Sequence, residues 1–137
     1  MVEVSVVIPT MNEEASIGAV IDEARAALAG REIEILTVDT NSRDRTNAIA
    51  ASKGARVVSE PRRGYGRAYK TGFAAARGTY ICTLDADLTY PAKRFPDLLH
   101  PLETGQADFV AGERATRLTG DAMTGMHRIG NMMPNIA

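Results

Sequence analysis

Tyr80-Ile-Cys-Thr-Leu-Asp-Ala-Asp87 is a short apolar run that ends in two carboxylates. It reads as a buried strand over Tyr80 to Leu84, with Asp85 and Asp87 just past its carboxyl end. Comparable runs precede it: Val4-Ser-Val-Val-Ile8, closed by Pro9; Glu32 to Val38, closed by Asp39; and Arg56-Val-Val58. Helical spacing fills the gaps. Ile17, Val20, Ile21, Ala24 and Leu28 share one face, with Gly30 as a stop. Ser42 and Asp44 are candidate caps for a helix reaching about Lys53, followed by Gly54. Pro61 to Gly66 reads as a loop. Tyr69, Gly72, Phe73 and Ala76 mark a third helix, closed by Gly78. Downstream, Phe95, Leu98, Leu99 and Leu102 form a stripe that Pro101 is expected to distort. Ala107 to Ala111 reads as a fifth strand.

Strands alternating with helices predict an α/β fold: a Rossmann-like, mostly parallel sheet with helices on both faces. Ligands on such sheets bind outside the carboxyl ends of the strands. Those ends are Pro9-Thr10, Asp39, Ser59-Glu60, Asp85-Ala86-Asp87 and Gly112-Glu-Arg114. The pattern fails after Arg114. The last stretch reads as strandless, with a helix over about Thr124 to Met133. The expected organisation is one domain over 1–115 and an incomplete segment over 116–137.

Composition excludes several classes. The chain has 137 residues, 16 Lys plus Arg against 17 Asp plus Glu, and one cysteine. Near-neutral charge argues against a general nucleic-acid binder. A lone cysteine leaves no disulfide framework and no Cys-rich zinc site. No apolar stretch approaches the roughly 18 residues of a membrane span, and the acidic start is not a signal peptide. The expected location is therefore cytoplasmic. Charge is unevenly spread: residues 51–80 carry seven basic side chains against Glu60 alone. A basic block in a neutral chain suits a single anionic ligand, or a solvated helix face.

Asp85 and Asp87, two apart in an extended segment, would point to one side. Two such carboxylates suit Mg²⁺ or Mn²⁺, with waters and phosphate oxygens completing the shell. Two solvated turn residues are the plainer reading. Gly64-Tyr-Gly-Arg-Ala-Tyr-Lys70-Thr71 is not a P-loop, because Tyr69 occupies the second glycine position. Nor is it a dinucleotide fingerprint, and the first strand leads into Pro9-Thr-Met-Asn-Glu-Glu14, which carries none. Hydride-transfer cofactors are disfavoured. What remains is a glycine-rich, basic helix entry that suits an anion through backbone N–H groups and Arg67 or Lys70. Asp39 could accept a hydrogen bond from a base or ribose. Ser42 and Asp44 read better as helix caps, and Asn12, Glu13 and Glu14 as the start of the first helix. Cys82 reads as inert core, and His100 and His127 receive no role.

Five motifs occur in one order: Val6-Val-Ile-Pro-Thr-Met-Asn-Glu-Glu14, Leu36-Thr-Val-Asp-Thr-Asn-Ser-Arg-Asp-Arg-Thr46, Arg63-Gly-Tyr-Gly-Arg-Ala68, Thr83-Leu-Asp-Ala-Asp-Leu88 and Ala107-Asp-Phe-Val-Ala-Gly-Glu-Arg114. Together they resemble the nucleotide-sugar half of a family 2 glycosyltransferase with the GT-A fold. The similarity is greatest to the dolichol-phosphate mannosyltransferase and polyprenyl-phosphate glycosyltransferase group. The resemblance implies that Pro9, Thr10, Glu13 and Asp39 line a nucleotide pocket. It implies that Asp85, Ala86 and Asp87 form the metal-binding triplet, the two aspartates being catalytic. Arg114, and Arg128 with Asn131, match positions near an acceptor phosphate. Thr40 stands where relatives carry a second aspartate, which leaves the base open, and Thr89 stands where some carry a further metal-shell residue.

The implied reaction is inverting transfer from a nucleotide-diphosphate sugar, with a Mg or Mn cation, to an acceptor such as a polyprenyl phosphate. That acceptor would be met at the cytoplasmic membrane face. Two rivals stand beside it. One is a truncated nucleotide-sugar-binding module without transferase activity. The other is a sugar-phosphate nucleotidyltransferase, which would need a glycine-rich signature after the first strand.

Overall fold

A computed structural model describes residues 1–87, 95–104, 110–112 and 130–134. The elements run β1 (Val4–Thr10), α1 (Ile17–Ala27), β2 (Ile33–Asp39), α2 (Thr46–Ser52), β3 (Arg56–Ser59), α3 (Tyr65–Ala75), β4 (Tyr80–Thr83), α4 (Phe95–Glu103), β5 (Val110–Gly112) and β6 (Gly130–Pro134). The sheet order is β3-β2-β1-β4-β6-β5. The four strands β3, β2, β1 and β4 are mutually parallel. β6 runs antiparallel to both β4 and β5.

β1 is central and wholly buried, so its residues serve two faces in alternation. Val4, Val6 and Ile8 pack with Ile17, Val20, Ile21 and Ala24 of α1, together with Ile35, Cys82, Leu84 and Leu99. Val7 points the other way, into a smaller cluster with Val38, Ile81 and Ala68, where Tyr69 and Phe73 of α3 also pack. Gly72 makes the close approach of α3 to the sheet feasible. A Cβ there would lie 2.4 Å from Val7 Cγ1 and 3.0 Å from Val38 Cγ2.

Three expectations need correction. β1 does not stop at Ile8 but continues through Pro9 to Thr10. Its last pair with β4 is Val7 with Thr83, and the Val7 carbonyl accepts from Leu84 N–H. The nitrogen of Pro9, two residues on, faces that same edge, where no ladder bond remains to be lost. α3 begins at Tyr65, inside the segment read as loop, because Ala68 N–H closes a first turn on the Gly64 carbonyl. The third correction concerns the end of the chain. Residues 130–134 form β6, wedged between β4 and β5, where a helix over 124–133 was expected. Pairing on two sides outweighs the weak local preference of Gly-Asn-Met-Met-Pro. α4 continues through Pro101. The fifth strand occupies 110–112, and residues 105–109 lie outside the described residues.

Candidate functional site

The strand order reverses at β1: the chain passes outward to β2 and β3, then returns to add β4 on the other side. A crevice opens at such a switch point, outside the carboxyl ends of the two diverging strands. Pro9, Thr10 and Glu13 follow β1 there, and Asp85, Ala86 and Asp87 follow β4. A cleft of about 190 Å³ opens between the ends of β1 and β2 and the start of α3, lined by Pro9, Thr10, Glu13, Thr40, Arg63 and Tyr65, among others; Asp85, Ala86 and Asp87 do not line it. A second cleft of about 380 Å³ adjoins it, sharing Met11, Thr40 and Arg63 and adding Asn12, Asn41 and Arg43.

Asp39 holds these walls in place. Its Oδ1 accepts from Thr10 Oγ1 at 2.7 Å and Ser42 Oγ at 2.6 Å. Its Oδ2 accepts from Ser42 N–H at 2.9 Å and Asn47 Nδ2 at 3.1 Å. Four donors fill the roughly four lone-pair sites of a carboxylate, and the residue is only 4% exposed. Burial opposes its charge, but the Ser42, Thr10 and Asn47 donors hold its carboxyl below the ordinary aspartate range. The turn that folds Ser42 back needs left-handed backbone at Asn41 (φ 50°), which asparagine tolerates. Ser42 therefore serves Asp39 rather than capping α2. Asp44 does accept from Thr46 N–H at 2.9 Å, the first residue of α2.

The segment after β1 is stitched to this loop and does not start α1, which begins at Ile17. Asn12 N–H donates to Ser42 Oγ at 2.8 Å, Glu13 N–H to Thr46 Oγ1 at 2.8 Å, and Arg43 N–H to Asn12 Oδ1 at 2.8 Å. Ser16 Oγ in turn donates to the Ala86 carbonyl, tying the start of α1 to the middle of the Asp-Ala-Asp triplet.

The triplet is not extended throughout. β4 ends at Thr83, and Ala86 and Asp87 form a turn, so the expectation of a common side from extended geometry does not apply. Asp85 is buried, 5% exposed, and its charge acts on the Tyr69 phenol; Asp87 is exposed, and its charge acts on the Glu13 carboxyl. Burial first, then the Asp87 and Asp44 carboxylates, push the Glu13 carboxyl up. A carboxyl raised by neighbouring carboxylates sits in negative potential that its own surroundings do not offset. The donor set is hard oxygen, which fits Mg²⁺ or Mn²⁺. Among the described residues no group of three or more His, Cys, Asp or Glu converges as a ready cage. A cation there would draw much of its shell from water and ligand oxygens, as Mg²⁺ commonly does.

The basic side of the cleft differs from expectation. Arg67 and Lys70 are exposed on α3 and line neither cleft, whereas Arg63 lines both. Ala68 and Gly72 face the sheet, and at 100° per residue positions 67 and 70 fall away from it. Arg63 was legible as the residue before Gly64, but its neighbour Arg62 shows why position alone misleads. Arg62 is bound to the buried Glu60, with Nη2 at 2.9 Å and Nε at 3.0 Å. Thr71 Oγ1 also donates to Glu60 at 2.7 Å. Arg62 first and Thr71 next hold the Glu60 carboxyl down at about 2. Glu60 therefore fastens the loop before α3 to the helix instead of facing a ligand. α3 itself starts at Gly64 (φ 122°) with no side-chain cap and no acidic residue in its first turn. Its first N–H groups lie beside the cleft, a disposition that suits an anion. Arg114 and Arg128 lie outside the described residues.

Comparison with known proteins adds three findings. Residues 5–135 match the family described as Glycosyl transferase family 2. The low-salt glycan biosynthesis hexosyltransferase Agl6 of Haloferax volcanii is 42% identical over 123 residues, 88% of this chain and 29% of that protein. The dolichyl-phosphate hexose transferase of the same organism is 36% identical over 130 residues, 95% of this chain and 55% of that protein. Among solved structures, glucosyl-3-phosphoglycerate synthase of Mycobacterium tuberculosis superposes with a TM-score of 0.79 at 29% identity, covering 97% of this chain and 56% of that one. That crystal holds Mg²⁺ and UDP, and another of the same enzyme holds Mn²⁺, UDP-glucose and glycerol 3-phosphate. The sheet and helices match the GT-A, Rossmann-like fold of that neighbour. The chain spans between about a third and rather more than half of these relatives.

Proposed function

The chain belongs to glycosyl transferase family 2, and from that premise we propose that it binds a nucleotide-diphosphate sugar in the β1–β4 crevice and transfers the sugar, with inversion, to a phosphate acceptor. The observation that carries this reading is the pair Asp85 and Asp87 just past β4, with Ala86 tied to Ser16 at the start of α1, at the point where the strand order reverses.

Asp85 and Asp87 would hold a divalent cation, which when bound neutralises charge on the departing diphosphate. The remaining work falls to the protein's own groups. Pro9, Thr10 and Thr40 form the wall against which the nucleoside rests. Arg63 and the first N–H groups of α3 face the diphosphate with positive potential, at no cost in reorganisation because the Glu60 clamp has already fixed their loop. Asp39 holds Thr10 and the turn beyond Thr40. A polyprenyl phosphate is our proposed acceptor, the reading favoured by the dolichyl-phosphate relative. A phosphate monoester is already anionic near neutral pH, so the attacking oxygen needs no general base. Arg114 and Arg128 are proposed for the acceptor's phosphate. Among the described residues no helix is long and apolar enough to cross a membrane, so the lipid phosphate would be reached at the membrane surface. A small phosphorylated acceptor is the second reading, favoured by the glycerol 3-phosphate bound in the solved neighbour.

The test is transfer of labelled sugar from UDP and GDP sugars to dolichyl phosphate and, separately, to 3-phosphoglycerate, with Mn²⁺ present. Asp87→Ala is expected to lose at least a hundredfold in rate. Equal activity in that variant would remove the cation-holding role, and transfer to 3-phosphoglycerate alone would replace the lipid acceptor.

A further inference from the structure

Tyr69 stands at the α3–β4 interface, where neither the motifs nor the proposed chemistry uses it. Its hydroxyl oxygen is shielded from water and has no hydrogen-bond partner among the described residues. The ring is fixed between Tyr65 and Phe73, with centroids 6.3 Å and 5.9 Å away and interplanar angles of 28° and 20°. Gly72 presses this helix onto Val7 and Val38, which sets how far the ring reaches across the sheet. On β4, Ile81 belongs to the α3 face and Cys82 and Leu84 to the opposite one. By alternation Thr83 lies on the α3 face, and its hydroxyl is buried without a partner among the described residues. Asp85, past the strand's end, stands between Leu84 and Ala86, which both pack into the opposite cluster, and it is the charged group that acts most strongly on the Tyr69 phenol.

A phenylalanine would satisfy every apolar contact of this stack without burying a hydroxyl, which is costly unless it is hydrogen-bonded. We infer that Tyr69 is a positioning residue: its buried phenol donates to Asp85 when the carboxylate engages a cation, holding one oxygen so that the other points into the crevice. This rests on the nucleotide-sugar reading for its functional half, but the contact itself does not. A second-sphere donor that orients a ligating carboxylate commonly governs metal affinity by ten- to a hundredfold.

Two measurements on the full chain separate these parts. The first is a double-mutant cycle in urea denaturation with Tyr69→Phe, Asp85→Asn and both together. Non-additive changes are expected, because residues in contact couple and distant ones do not. Additive changes would overturn the inference. The second is titration of UDP, and of GDP, with and without Mn²⁺. Tyr69→Phe is expected to keep or raise the thermal midpoint, to leave cation-free affinity unchanged, and to weaken Mn²⁺-dependent affinity about tenfold. A purely structural tyrosine would lower the midpoint and leave the ratio of the two affinities untouched, and that result would also overturn the inference. Should the native chain bind neither nucleotide with Mn²⁺ while the cycle still shows coupling, the nucleotide-sugar reading falls and takes the positioning role with it.

Discussion

Asp39→Asn removes one charge and almost no volume, so its effect reports on the hydrogen bonds to this group, net of the burial cost of its charge. The native carboxylate accepts from Thr10 Oγ1, Ser42 Oγ, Ser42 N–H and Asn47 Nδ2. An amide offers one acceptor oxygen and one donor nitrogen. Its least costly placement turns the oxygen toward Ser42 N–H and Asn47, because a backbone donor cannot reverse, and the nitrogen toward the two hydroxyls. Two charge-assisted bonds then become neutral ones, each weaker by about 1 kcal/mol. The Thr10 and Ser42 hydroxyl protons lose their acceptor, at up to about 1 kcal/mol each because the hydroxyl oxygens can accept from the amide nitrogen instead. The expected loss is about 2–4 kcal/mol in urea denaturation, with an unchanged denaturant slope. Nucleotide affinity should fall with it, for UDP and GDP alike, because Thr10 and Thr40 both line the cleft. A variant within about 1 kcal/mol of the native protein would refute the four-donor account. So would a normal stability with affinity lost for one base only, which would make Asp39 a ligand contact.

Gly72→Ala should destabilise by about 1–2 kcal/mol: a 2.4 Å approach to Val7 Cγ1 puts overpacking at the upper part of its range, about 2–3 kcal/mol, offset by about 1 kcal/mol of helix propensity. Its new Cβ would meet the β-branched Val7 and Val38 on central strands, and a denaturation midpoint at or above the native value would contradict that packing. Acid should unfold the protein through its depressed carboxylates. Glu34, Asp39 and Glu60 all titrate below their ordinary values. Their contribution is therefore complete above the unfolded pKa, near 4 to 4.5, and is lost as pH falls through the folded values, down to about 2 for Glu60. Urea midpoints measured from pH 6 to pH 2 should drop across that window, and a flat profile would count against these networks. Glu13 runs the other way, since its carboxyl is raised, and protonating it relieves repulsion.

How much of this was readable in advance depended on whether the signal was local. The run Tyr80-Ile-Cys-Thr, the stripe from Ile17 to Leu28 and the alternation of the two predicted a parallel sheet with helices on its faces, but the strand order β3-β2-β1-β4 came from the structure. The carboxylates at the strand ends were equally visible. What each of those charges does was not. Glu60 and Asp85 both end parallel strands, yet Glu60 is consumed by Arg62 and Thr71, while Asp85 sits beneath the crevice next to Tyr69. Arg62 and Arg63 are neighbours with opposite fates because Arg62 turns back onto the buried Glu60, which Thr71 of α3 also holds, and Arg63 is left lining the clefts. β6 makes the same point for the backbone. Residues 130–134 have no strand signature of their own and become a strand because β4 and β5 each present a row of unpaired N–H and C=O groups to them. Local spacing determined the elements and their order. Burial, long-range hydrogen bonding and edge pairing, which exist only once the chain is folded, determined which residues form the site.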